Sequence, residues 1–279
     1  MDGSIARGPA LIRAPLSTSS VLDEAAETVR KVASPWAALS IVTALPYRFA
    51  QAVFADRLIQ LGIDAQHRAN YLLTLAGWTM AAFVVSRWGR LVFARAVRLA
   101  VESGRAPGAA ALRVRFTVLL DYLYVSLFLE CVSIATLMTC LAPLLCTIVT
   151  GLAVGTAESN DRPSLAAPFR RIAKIGTNVR TATAVALVFV CAAAVAAVNV
   201  AGAFGAGLWL GSAIGGWDAQ RWTLIVSATN RRFILTVIAG ALVALEPFWV
   251  AAYVTFVRKA GVVESGDDLR QWFEELRSA

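Results

Sequence analysis

Three ionisable residues, Arg48, Glu130 and Glu246, each lie inside a strongly apolar run of the chain. A guanidinium and two carboxylates brought together out of water have three chemical uses. They can pair as a clamp that sets helix register, pass protons or ions, or line a polar pocket for a charged headgroup. Glu246 is followed at once by Pro247. Proline lacks an amide donor and frees a carbonyl one turn earlier, so the dipeptide marks a candidate hinge.

No other constellation in the chain carries chemistry. His67 is the single histidine and lies near Asp64, with no serine placed to complete a triad. The four cysteines, Cys131, Cys140, Cys146 and Cys191, sit inside apolar blocks without CxxC spacing and are expected as small packing residues. Gly202, Gly205, Gly207 and Gly211 lie in or beside an apolar span, where close helix packing is their natural role, and no phosphate-cradling loop follows them. No metal, no cofactor and no catalytic residue is expected.

The elements that must position the three charges are transmembrane helices. The 279 residues are 58% hydrophobic and only 16% charged, against roughly a quarter charged for soluble domains. The apolar residues come in blocks bordered by arginines, the pattern of a polytopic helical protein. The fold class is therefore all-α, a bundle of about six spans with amphipathic helices at the interface. The spans begin with Trp36 to Ala55 and Tyr71 to Ser86. The 42 residues from Phe116 to Ala157 must fold back near Pro143, because one helix of that length would be roughly 63 Å, twice the hydrocarbon core. They divide into 116–138 and 142–157, and the second is short enough that a re-entrant hairpin is the alternative. Thr183 to Ala203 and Phe233 to Val257 complete the set.

The formal charge of +8 does not point to nucleic acid, because the arginines border hydrophobic blocks; anionic phospholipid headgroups are the expected partner. Twenty of the 26 lysines and arginines fall in residues 1–35, 87–115, 158–180 and 258–279, connections that alternate with poorly charged ones. The positive-inside rule puts that group in the cytoplasm, with six spans and both termini inside. At 1.5 Å per residue, Arg48, Glu130 and Glu246 then lie roughly 16–21 Å from the cytoplasmic ends of their spans, near mid-bilayer. Arg48 is expected to pair with Glu246, with Glu130 nearby.

Two connectors read as basic amphipathic surface helices. In 87–101, Arg87, Arg90, Arg95 and Arg98 fall within about 140° of helical arc opposite Val92, Phe93, Ala96 and Leu99. In 158–180, Arg170, Arg171 and Lys174 oppose Ile172, Ile175 and Val179. Residues 1–35 form a cytoplasmic N-terminal tail ending in a short surface helix, 36–257 the six-span domain, and 258–279 a cytoplasmic tail. In the last, Leu269, Trp272, Phe273 and Leu276 line one helix face.

Four segments carry a family resemblance: ALEPFWVAAYVTFVRK, the following ESGDDL, NRRF before the last span, and RPSLAAPFRRIAKIG. Over residues 160–279 the chain resembles a group of bacterial polytopic membrane proteins related to the membrane domain of glycerophosphodiester phosphodiesterases. No phosphodiesterase catalytic domain accompanies it. The resemblance implies a bacterial inner-membrane location and a non-enzymatic accessory, assembly or scaffold role beside a membrane-protein partner. The alternatives are a transport or channel subunit using the Arg48, Glu130 and Glu246 cluster, and an intramembrane enzyme acting on lipid.

Overall fold

The computed structural model describes residues 17–60, 65–103, 107–135, 142–157 and 179–265, apart from positions 217, 219–221, 223 and 228. All regular structure among them is helical. In chain order the elements are α1 (Thr18–Gln60), α2 (Ala65–Ser103), a 3₁₀ turn (Ala109–Leu112), α3 (Phe116–Ala135), α4 (Ala142–Thr156), α5 (Val179–Gly215) and α6 (Arg231–Ser265). Pro35–Phe54 in α1, Arg180–Gly215 in α5 and Arg231–Val262 in α6 are long and apolar enough to cross a membrane.

Local chemistry explains the helix starts. Ser17 caps α1, its Oγ accepting the Ser20 amide at 3.2 Å, and Asn230 caps α6, its Oδ1 accepting the Arg232 amide at 3.1 Å. Neither Pro46 nor Pro247 ends its helix: α1 and α6 run straight through them. Four elements exceed their expected limits. α1 begins at Thr18, so the last half of the expected N-terminal tail is continuous with the first span, and Val21, Ala25 and Val32 are buried in the core. α6 likewise carries the last span past Arg258 to Ser265. α5 extends the expected fifth span at both ends.

The largest departure is α2. The expected break at Arg87 into a surface helix does not occur; one helix runs from 65 to 103. Between Ser86 and Val97 it is buried on most of its circumference, with Leu91, Val92, Phe93, Ala96 and Val97 all buried and Trp88 and Arg95 partly exposed. A stripe drawn on a wheel assumes that one face stays wet along its whole length, and here only the end carrying Arg95 and Arg98 does. Arg87 and Arg90 are consequently interior residues, while Arg95 and Arg98 remain outside.

α1 and α6 lie antiparallel and are fastened at both ends. Glu24 meets Arg258 and Lys259 at one end; Asp56 meets Arg231 and Arg232 at 2.6 and 3.0 Å at the other. The 26 residues from Arg232 to Arg258 rise ~39 Å, close to the thickness of a bilayer with its headgroups. The core fills the end nearer Glu24 and Arg258, where α1, α2, α3, α4, α5 and α6 all contribute buried side chains. Toward the other end large apolar side chains face outward, among them Val42, Leu73, Trp78, Val198 and Trp209. Water penalises such a surface and lipid accepts it.

α3 and α4 are separate helices, as the fold-back of 116–157 requires. α4 packs on α6 through Gly151 and Gly155. A Cβ on Gly155 would lie 2.6 Å from Val257 Cγ2 and 2.9 Å from the Tyr253 carbonyl oxygen, and one on Gly151 would overlap the Tyr253 ring. Only hydrogen at these two positions lets the backbones meet. α4 spans only ~22 Å, less than the hydrocarbon core, so its N-terminal end stops partway along α6.

Candidate functional site

The charges meet where α1, α2, α3 and α6 converge, and the pairing differs from the expected one. Glu246 does not pair with Arg48. Its Oε1 accepts the Arg90 Nε–H at 2.9 Å, with both side chains about 3% exposed. Arg90 also donates to the Tyr122 hydroxyl at 3.4 Å, and its guanidinium lies 5.1 Å from the Trp249 ring centroid. Glu130 has its own partner, Arg87, at 2.5 Å. Two arginines assigned to the membrane surface are thus the counter-ions of the two glutamates, Glu246 fully buried and Glu130 about one-fifth exposed.

Aromatic rings complete the arginine environments. Arg87 has no hydrogen-bond partner at Nε or Nη1. Its guanidinium sits 4.5 Å from the Phe83 centroid and 5.0 Å from that of Tyr47. Cation–π attraction is strongest in such a desolvated setting and replaces part of the missing hydration. The helices approach closely here because Gly89 faces Thr43, whose Cβ would lie 2.7 Å from any added Cβ.

Arg48 keeps the mid-helix position read from the sequence but has no carboxylate partner. Its Nη1 donates to Gln51 Oε1 at 3.0 Å, one turn along α1, and the guanidinium lies 5.6 Å from the Tyr47 ring centroid. Its Nε is buried without a hydrogen-bond partner. Arg48, Arg90, Glu130 and Glu246 all line one cavity of about 320 Å³. Thr147 and Thr150 of α4 add hydroxyls to its wall, and Leu129, Phe189, Val190, Leu242 and Trp249 supply the apolar part. A concave space of this size with few polar groups among apolar ones has the make-up of a small-ligand pocket.

The remaining sequence-level candidates fall elsewhere. Pro247 is buried beside Glu246 in an unbroken helix. Arg95 donates to the Ala110 carbonyl at 3.2 Å, holding the 3₁₀ turn to α2, and Arg98 pairs with Glu102 on the outside. Cys131 and Cys191 are free and face outward, so they do not serve as core packing residues. Arg170, Arg171, Lys174, Cys140, the tail helix after Ser265 and the His67 side chain lie outside the described residues. No metal-ligand group of three or more side chains occurs among the described residues. The sequence carried one overlooked signal for the site's support, the Gly151-xxx-Gly155 spacing.

No protein-family model, curated protein or solved structure matches this chain.

Proposed function

We propose that this chain is a six-span protein of a bacterial inner membrane, both termini cytoplasmic, whose mid-membrane cavity binds a solute for transport. The observation that carries this reading is the open space beside Glu246. A register clamp has no use for a 320 Å³ cavity among its own charges, whereas a transporter places its polar binding groups at the bilayer midplane. The six-span count rests on charge bias, and moving Arg87 and Arg90 out of the cytoplasmic group leaves that bias in place.

The accessory or scaffold reading has its own support. Both glutamates are fastened to arginines on α2, and both ends of α1 are tied to α6. The partner in that case is another membrane protein. No enzymatic role is proposed.

Aqueous access separates the two. Thr150→Cys, made in a chain whose four native cysteines are replaced by serine or alanine, is expected to react in intact cells or oriented vesicles with a membrane-impermeant methanethiosulfonate. Ala251→Cys, fully buried on the same helix bundle, serves as the unreactive control. Thr150→Cys that stays as unreactive as the control overturns the transport reading and leaves the scaffold.

A further inference from the structure

The charge balance of the cluster identifies what the cavity accepts. The described charged side chains of the cluster are Arg48, Arg87, Arg90, Glu130 and Glu246, three cations against two anions; all but Arg87 line the cavity, and Arg87 is bound to the lining residue Glu130. The two carboxylates are in ion-pair contact with Arg87 and Arg90, which leaves Arg48 in their field but in direct contact only with an amide oxygen and a tyrosine ring. Among the described residues no further charged side chain lines the cavity. A positive charge with a buried, unbonded Nε is costly at mid-membrane, and the cost falls when an anion enters beside it.

We infer that the cavity takes a singly charged anionic group, carboxylate or phosphodiester, on an apolar body, with Arg48 as the residue that receives the charge. This inference rests on the pocket being a ligand site, as the transport reading holds. Planar, forked donors suit both oxyanion types. The apolar body lies against Phe189, Val190 and Leu242, which share the wall with Arg48. The volume suits a head with a short chain, and excludes a whole diacyl lipid from the interior. A lipid could present its phosphodiester only with its acyl chains left outside between helices.

The test uses the purified full chain in an uncharged detergent, with unfolding followed by the fluorescence of its eight tryptophans. Octanoate, short-chain phosphatidylglycerol and octanol are added separately. Octanoate or phosphatidylglycerol at a hundredfold excess over Kd is expected to raise the midpoint by roughly 5 °C, and octanol is not. A response to octanoate alone identifies a free acid, one to phosphatidylglycerol alone a lipid headgroup, and a response to both the shared anion. Arg48→Gln is expected to abolish the rise while folding at least as stably as the parent without ligand, because it removes the unbalanced charge. Arg48→Lys is expected to retain part of the rise, and the outer-surface control Arg98→Gln all of it. No rise with either anion, or an unchanged rise in Arg48→Gln, overturns the inference. If Thr150→Cys reacts but neither anion stabilises the chain, the anion assignment falls and the transport reading stands. Stabilisation with Thr150→Cys unreactive keeps the anion site and removes the transport reading.

Discussion

Arg90 and Glu246 form the most enclosed ion pair among the described residues, and its energetics differ from those of the helix-end pairs. Each partner's burial is tolerable only because of the other. Removing one leaves a bare charge inside, which costs about 3–5 kcal/mol in soluble proteins, whereas replacing both by apolar residues of similar size is often neutral. Glu246→Gln is therefore expected to lower the unfolding midpoint and accumulation sharply, and Arg90→Met combined with Glu246→Leu to recover most of the loss. Additive losses in the double variant would contradict the pair. Glu246 and Glu130 were legible in the sequence as buried charges because carboxylates in apolar runs stand out. Their partners were not. Arg87 and Arg90 sit at the end of an apolar run, where arginines ordinarily mark the membrane surface, and only the continuation of α2 into the bundle makes them interior.

At the scale of helices, the pairing of α4 with α6 depends on two glycines one turn apart. Gly155→Leu must displace Val257 or the α6 backbone, and overpacking of this kind costs about 1–3 kcal/mol. Because Thr147 and Thr150 ride on the same helix, the substitution is expected to impair ligand response as well as stability. Gly77→Ala, at a position with open space around it, is the matched control in a midpoint measurement. Equal effects of the two would mean that α4 does not seat on α6 as described. The limits of α1, α2, α5 and α6 were under-read in the sequence because hydropathy reports the apolar stretch and not the helix. A helix whose polar ends protrude into headgroups or pack on other helices continues past it.

For the molecule as a whole, the ties at both ends of α1 and α6 set a thickness. Asp56 is held below its ordinary value near 3.8, first by the hydrogen bond from Arg231, then by that from Arg232, with burial opposing them. A carboxylate depressed in the folded state contributes stability above its unfolded value and loses that contribution as the pH falls through the lowered one. The midpoint gap between the parent and Asp56→Asn is expected to be steady above about pH 5 and to shrink below about pH 4. A gap that widens toward acid would rule the tie out. Arg231 and Arg232 are 44% and 63% exposed, so the gap is expected to shrink in high salt too.

The sequence by itself determined that the chain is helical, that three of its apolar stretches have membrane length, and that Arg48, Glu130 and Glu246 stand inside apolar runs. These follow from composition and from where charges interrupt apolar runs, both local properties of the chain. Which charge neutralises which was decided only by tertiary structure. Arg90 and Glu246 are 156 residues apart, and their meeting depends on α2 running on as one helix and lying where α6 can reach it. The same packing leaves Arg48 facing a cavity without a carboxylate of its own. That imbalance belongs to the assembled bundle, because a sum over residues shows charges and never the distances between them.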